Sequence, residues 1–269
     1  MPKILTDFLD AAVDDAVVDS LVEYLSAQGK TPGFEWIETS DLTIFISGMD
    51  FSMFNCVLRT NLDQANAEKR IAETVELLRQ KSVPFVWRIR KMDEPADLHV
   101  LLEKSGLRRS EEPGMAIDLD ELKAPRPPPG FKLERAKGKD RLEAYVRLLI
   151  PAYQAPPSMV EPFIRMILHT DLGDSFRHYI GHLDGRPVAA SSVLLASGVA
   201  GLYNVATMPD VRGKGIGAFM SSAPLLEARE NGYRIGVLQA SDMGRPVYER
   251  LGFRNRGKLI CYSLPRADG

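Results

Sequence analysis

The part of the sequence with the clearest chemical content is residues 204–218, where three glycines alternate with other residues between an apolar and an amphipathic stretch. A strand that runs through such a loop into a helix aims several backbone N–H groups, and the positive end of the helix dipole, at one point. A Cβ would keep a phosphate away from these amides, and a tight turn favours positive φ. The pattern predicts an anion cradle. Its glycines are Gly213, Gly215 and Gly217, and its flanking cations are Arg212 and Lys214.

Two known phosphate-binding motifs and one structural explanation compete for this loop. A dinucleotide fingerprint needs Gly-x-Gly-x-x-Gly early in a βαβ unit, whereas here the spacing is Gly-x-Gly-x-Gly and lies late in the chain. A P-loop needs an upstream glycine and a Ser or Thr after Gly-Lys, but Gly215 follows Lys214. An ordinary glycine-rich turn is the third explanation. Arg212 before the loop and a strong helical pattern after it disfavour that explanation.

The series Thr207-x-Pro209-x-x-Arg212-Gly-x-Gly215-x-Gly217 resembles the acetyl-CoA signature of the GCN5-related N-acetyltransferases, the GNAT family. The resemblance continues downstream. Residues 235–240 are similar to the fifth strand of the family, and residues 241–253 to its Asn-x-x-Ala-x-x-x-Tyr-x-x-x-Gly-Phe segment. Together these segments cover most of residues 131–264.

The resemblance implies a site with acetyl-CoA as co-substrate and no metal. The backbone of Val205 and Thr207 would pair with the pantetheine arm like an added strand, and Ser241 would lie near that arm. Tyr248 falls on the frequent general acid of the family, which protonates the departing CoA thiolate. A core aromatic on a short helix is the alternative for Tyr248. The pyrophosphate would be received by Arg212, Gly213, Lys214, Gly215, Ile216, Gly217 and Ala218.

The sequence departs from the family pattern at three points. Ser241 stands where many members have Asn, and Gly244 where they have Ala. Many members also carry a Glu on the fourth strand as general base, but residues 201–207 contain no carboxylate. An amine of modest pKa would need no strong base. The remaining candidates are Asn204 ordering a water, Tyr203 lining the site, and the remote Glu161 and His169, both of which are more typical of surface residues.

The elements that position this motif follow from periodicity. Period-two alternation predicts strands over 131–135, 176–183, 188–196, 199–207, 235–240 and 258–264. Helical periodicity predicts helices over 140–153, 162–168, from Ile216 to a stop at Gly232, and over 246–251. Pro224 removes one intrahelical hydrogen bond, so it should kink or split the third of these helices.

The sequence predicts a mixed α/β protein with two GNAT-like domains, each a mostly antiparallel twisted sheet flanked by helices. Residues 125–130 form a proline-rich linker, which places the domains at 1–124 and 131–269. The first half repeats the strand and helix order of the second: strands over 54–59 and 85–89 enclose a helix over 64–81, and residues 102–107 and 115–119 follow.

The first copy is expected to be degenerate. It has no glycine between Gly48 and Gly106, and Leu102 occupies the position equivalent to Tyr248. It therefore lacks both the phosphate loop and the candidate acid. We expect residues 1–124 to be structural, packing against the second domain or walling the acceptor pocket near residues 151–162.

Composition excludes several classes of function. A net charge of −2, without a block of Lys or Arg, argues against nucleic acid as a partner. No apolar run approaches the ~18 residues that span a bilayer, and residues 1–10 lack the pattern of a secretory signal. The expected location is cytoplasmic. A homo-oligomer is compatible with the sequence.

The cysteines and histidines do not indicate a metal site. Cys56 and Cys261 lie far apart in strand-like apolar stretches, which predicts buried reduced thiols. His178 and His182 have the spacing of a helical zinc pair, but they fall in a predicted strand, where residues four apart are ~13 Å from each other.

These observations predict transfer of an acetyl group from acetyl-CoA to a primary amine of a small molecule or peptide, by direct attack. A non-catalytic acyl-CoA-binding or regulatory protein is the alternative, favoured by the missing base. An enzyme that uses another acyl-CoA or a special acceptor is a third possibility.

Overall fold

The computed structural model describes residues 3–170 and 172–265, and these form a mixed α/β fold, as the sequence predicts. In chain order the described elements are α1 (Ala12–Gly29), β1 (Glu35–Glu38), β2 (Leu42–Ile46), β3 (Asn55–Thr60), α2 (Ala67–Gln80), β4 (Val86–Ile89), α3 (Leu98–Lys104), β5 (Arg108–Asp118), β6 (Phe131–Ala136), α4 (Lys139–Ala152), α5 (Val160–His169), β7 (Phe176–Leu183), β8 (Arg186–Ala196), β9 (Val199–Thr207), α6 (Ile216–Glu230), β10 (Ile235–Gln239), α7 (Arg245–Leu251) and β11 (Arg254–Ser263). None of these helices is both long and apolar enough to cross a bilayer.

The chain divides into two compact units. The large unit combines the residues up to Tyr24 with Pro113–Gly257. The small unit combines Leu25–Glu112 with the segment from Lys258 onward. Each unit therefore draws on both ends of the sequence. The separate division at the proline-rich segment, into copies at 1–124 and 131–269, stays a prediction.

The sheet of the large unit has the strand order β5-β10-β9-β8-β7-β6. Its pairs are antiparallel except for β9 with β10, which run parallel. Helix α6 packs its apolar side on this sheet, with Met220 and Leu225 fully buried against residues such as Leu202 and Leu238. Burial of that face holds the start of α6 at the end of β9.

The small unit has the strand order β1-β2-β3-β4-β11. Its one parallel pair is β3 with β4, and β4 pairs antiparallel with β11. Helix α2 buries Ile71 and Leu78 in the core that also contains Trp87 and Tyr262. Cys56 and Cys261 are buried here as free thiols, in agreement with the sequence.

The two sheets share one succession of pairings, which supports the predicted duplication. In each, an antiparallel series leads to a parallel pair, and a further strand then pairs antiparallel with the second strand of that pair. In each series, this last strand comes from the other half of the sequence. β5 follows α3 in the chain but pairs with β10, whereas β11 follows α7 but pairs with β4.

Most predicted elements are confirmed within a few residues, and three differences have physical reasons. Helix α1 and the β1–β2 hairpin were not predicted, because their apolar residues show no clean period in a short, mixed stretch. Pro224 does not split α6, which continues from Ile216 to Glu230. Pro224 is buried in the helix, and this burial opposes the loss of one helical hydrogen bond.

Candidate functional site

The candidate site begins where β9 and β10 separate. The two strands pair at only two positions, Ala200 with Gly236 and Gly201 with Val237. Beyond these positions β9 continues to Thr207 and β10 to Gln239 without a pairing between them. The backbone groups of β9 that face the gap are therefore available to a strand-like ligand.

A β-bulge lies in β9 next to this gap. Ala190 pairs with Ala206, and Ser192 pairs with Tyr203, so two residues of β9 stand opposite one residue of β8. One of the two, Asn204, has φ of +56°. A bulge bends the strand and changes the direction of its backbone groups. The conformation of Asn204 thus sets which amides of β9 face the gap.

The glycine loop follows β9 after one short helical turn at Pro209–Val211. Gly213 and Gly215 both have φ of +78°, and a Cβ added at either would find no atom within 4 Å, so open space lies before the loop. Gly215 is the N-cap of α6, and no side chain caps the helix there. The first amides of α6 are therefore available to an anion. The open space at Gly213 and Gly215 and the uncapped start of α6 are compatible with the anion cradle predicted from the sequence.

Arg212 holds this loop in place through its guanidinium group. Its Nε donates to the carbonyl oxygen of Thr207 at 3.0 Å, and its Nη2 donates to that of Ala152 at 2.9 Å. The side chain thus ties the loop to the end of β9 and to the end of α4. Lys214 is exposed beside it and contributes a second positive charge.

Tyr248 lies on α7 and is partly buried against the large core. Its ring meets Phe253 edge-on, with centroids 5.8 Å apart. Burial raises the pKa of Tyr248 to about 12, and a hydrogen bond with Ser221 opposes part of that shift. The phenol therefore keeps its proton throughout the physiological pH range. Before α7, the amide of Gly244 donates to Ser241 Oγ at 3.2 Å, which orders the turn.

The residues considered as bases lie in different surroundings. Tyr203 is buried, and its hydroxyl group lies 2.8 Å from Ser20 Oγ. Glu161 pairs with Arg147 at 3.0 Å, with most of its carboxylate exposed. His169 is exposed, and its Nδ1 lies 2.7 Å from the carbonyl oxygen of Arg165.

Sequence reasoning missed a group of tyrosines and their partners near the bulge. Tyr24 stacks on Tyr203 with centroids 4.3 Å apart and planes 9° from parallel. The hydroxyl group of Tyr145 lies 2.6 Å from Ser192 Oγ, which in turn lies 2.8 Å from Nδ1 of His178. No spacing along the chain predicts this group, because its members come from α1, α4, β7, β8 and β9.

His178 and His182 both lie on strand β7, not on a helix, and each has its own neighbours. His178 is buried, and burial, followed by the positive charge of Arg135, lowers its pKa to about 3. His182 Nε2 lies 3.7 Å from Glu134. Among residues 3–170 and 172–265, no three His, Cys, Asp or Glu side chains are grouped so as to hold a metal ion.

Comparison with known families identifies the segment that contains these features. The model of the acetyltransferase (GNAT) domain matches residues 174–255, from the start of β7 to the beginning of β11. The chain contains a GNAT domain. The resemblance drawn from the sequence is thereby confirmed, and the gap, the bulge, the glycine loop and Tyr248 all lie inside the matched segment.

Solved structures extend the similarity of fold beyond the GNAT domain. A GCN5-related N-acetyltransferase from Kribbella flavida has a TM-score of 0.63 at 19% identity, covering 91% of this chain and 95% of its own. A tandem GNAT protein from the clavulanic acid biosynthesis pathway has a TM-score of 0.60 at 15% identity, covering 97% of each chain. A functionally unknown conserved protein from Staphylococcus epidermidis reaches 0.60 at 14%, covering 86% and 94%. The fold of the whole chain is thus that of tandem GNAT proteins.

Proposed function

We propose that the protein transfers an acetyl group from acetyl-CoA to a primary amine of a small molecule or peptide by direct attack. The GNAT fold supports acyl transfer in general. The observation that carries the finer proposal is the separation of β9 from β10, which opens a groove that ends at the glycine loop and the uncapped start of α6.

The groove fits coenzyme A along its length. The free edge of β9 at Val205 and Thr207 offers backbone groups to the amides of a pantetheine arm. The amides after Pro209, with the helix dipole and Lys214, suit the diphosphate. The open space at Gly213 and Gly215 leaves room for its oxygens.

Tyr248 is proposed as the general acid. As the amine nitrogen bonds to the thioester carbonyl carbon and the carbon–sulfur bond breaks, the phenol gives its proton to the leaving sulfur. Because its pKa is raised to about 12, the phenol holds this proton at neutral pH. The amine must lose its own proton to water or to the acceptor's surroundings, since β9 carries no carboxylate.

The test compares wild type with Tyr248→Phe, which keeps the ring and removes the proton. Thiol release is followed with a panel of primary amines, and CoA affinity is measured by calorimetry. We expect kcat to fall by about 10²- to 10⁴-fold with CoA affinity unchanged. Full activity in Tyr248→Phe would assign the acid role elsewhere. CoA binding without turnover in either protein would contradict catalysis.

The absence of a carboxylate on β9 favours one second candidate, a non-catalytic acyl-CoA-binding or regulatory protein. An acyltransferase for another acyl-CoA would use the same groove with a different pocket volume. The rise in melting temperature with a series of acyl-CoA thioesters of increasing length would reveal the acyl preference, because a ligand that binds the folded state stabilises it. In the proposed setting the protein acts in the cytoplasm, without nucleic acid, membrane or metal, as a monomer or homo-oligomer.

A further inference from the structure

The first helix of the chain reaches the bulge of β9 through one tyrosine. The hydroxyl group of Tyr24 donates to Asn204 Oδ1 at 3.2 Å. Its ring stacks on Tyr203 and meets Phe176 edge-on at 5.6 Å, so the phenol has little freedom to move. On the preceding turn of α1, Ser20 Oγ lies 2.8 Å from the hydroxyl group of Tyr203. Two neighbouring residues of β9 are thus each bonded to α1.

Asn204 carries two unfavourable features at once. Its φ of +56° places a non-glycine residue in the left-handed region. Its Nδ2 atom is buried and makes no hydrogen bond of ordinary length among the described residues, although the side chain lies near the hydroxyl group of Tyr145 and lowers the pKa of that phenol. Such features persist only where the surrounding structure imposes them, and they concentrate at functional sites. The bond from Tyr24 to Oδ1 is one of the contacts that hold the orientation of this amide.

The position of Asn204 connects this local state to the groove. It is a bulge residue, adjacent to Val205, on the part of β9 that has already separated from β10. A rotation of Asn204 toward ordinary strand geometry would turn the following peptide groups, which are those proposed for the pantetheine arm that carries the thioester. Tyr24 does not have to touch the acyl group to affect its reaction.

We propose that Tyr24 is a positioning residue for acyl transfer, which holds the β9 bulge at Asn204 in the conformation that aligns the thioester. This inference rests on the proposed function and assigns a role in it to the N-terminal helix. The residue lies far outside the matched GNAT segment, at the opposite end of the chain.

The test removes the hydroxyl group in Tyr24→Phe and keeps the stacked ring. Tyr179→Phe is the matched control, because Tyr179 is equally buried. Its hydroxyl group donates to Glu227 at 2.7 Å, and this hydrogen bond does not involve the bulge residues. We expect kcat to fall about 10- to 100-fold in Tyr24→Phe, with KM for acetyl-CoA changed less than about threefold. The control should keep wild-type kcat. Equal kcat in the two variants would overturn the proposal.

Two further measurements separate this inference from the proposed function. Asn204→Gly keeps the left-handed backbone accessible and removes the bonded amide, so adding Tyr24→Phe to it should lower kcat no further. Amide hydrogen exchange of Val205 and Ala206 needs no acceptor substrate. We expect it to be at least tenfold faster in Tyr24→Phe than in wild type or Tyr179→Phe. If wild type transferred no acyl group, this exchange would still decide the inference, and unchanged exchange would refute it.

Discussion

Nη1 of Arg177 donates to Oε1 of Glu227 at 2.8 Å, and this contact joins the start of β7 to the C-terminal half of α6. Tyr179 donates to the other oxygen of the same carboxylate at 2.7 Å. Arg177 is only 6% exposed, so its buried positive charge is compensated mainly by this carboxylate. The contact fixes the C-terminal half of α6 on the sheet, about three turns from the amides that begin the helix.

Glu227→Gln should destabilise the protein, because it leaves the buried Arg177 with only the more distant Asp174, at 3.5 Å, as an anionic partner. We expect a loss of about 2 kcal/mol in the free energy of unfolding, measured with urea. Glu230→Gln, which alters an exposed carboxylate on the same helix, is the control. A loss below about 0.5 kcal/mol in Glu227→Gln would show that the pair contributes nothing to stability.

Alanine at two loop glycines should separate stability from cofactor binding. Gly215→Ala places a Cβ on a left-handed residue and should cost about 1–2 kcal/mol. Gly217 lies in α6, where its added Cβ would make only an ordinary contact with Thr207 Oγ1 at 3.7 Å, so Gly217→Ala should stabilise the free protein slightly. Thermal melts measure both effects.

The same two variants test the anion cradle. We expect each to weaken CoA binding in calorimetry by about tenfold or more, since a Cβ would stand between the amides and the diphosphate. Gly215→Glu, which adds charge repulsion, should abolish binding. Wild-type affinity in Gly215→Glu would place the nucleotide elsewhere.

Gly244→Ala should displace the candidate acid. A Cβ at residue 244 would lie 2.9 Å from Cε2 of Tyr248, although φ of −79° imposes no backbone strain. The ring of Tyr248 must therefore move. We predict a fall in kcat of about tenfold, with nearly unchanged affinity for CoA, in steady-state kinetics. Combined with Tyr248→Phe, the substitution should have little further effect, and a fully additive loss would mean that it acts by another route.

His178 should make the protein sensitive to acid. Its pKa is depressed to about 3 in the folded state, mainly by burial. Its contribution to stability is therefore complete above the unfolded value of ~6.5 and is lost as the pH falls toward 3. Between pH 7.5 and 5, wild type should lose about 2 kcal/mol more than His178→Gln in urea unfolding. His169→Gln, on an exposed residue, should behave like wild type. Parallel pH curves for wild type and His178→Gln would contradict this prediction.

Residues 131–264 could be predicted well because their signals are local. Alternation in β7, β8 and β9 follows from one buried face, and the glycines of the loop are required by backbone geometry within a few residues. The assignments of Val205 and Thr207 to the pantetheine arm and of Tyr248 as general acid came from the family resemblance, and they stay predictions. The short-range pattern did not show that Arg212 bonds to the carbonyl oxygens of Thr207 and Ala152, because Ala152 is remote in sequence.

The sequence by itself determined the order of strands and helices from β6 onward, the glycine-rich loop and the family resemblance. Only the tertiary structure decided which strands pair, that β5 and β11 each pair with a strand from the other half of the sequence, and that Tyr24 meets Asn204. The physical reason is that strand pairing uses backbone groups, which are alike in every residue. The choice of partner therefore depends on how the cores pack as wholes, and no local run of side chains encodes it.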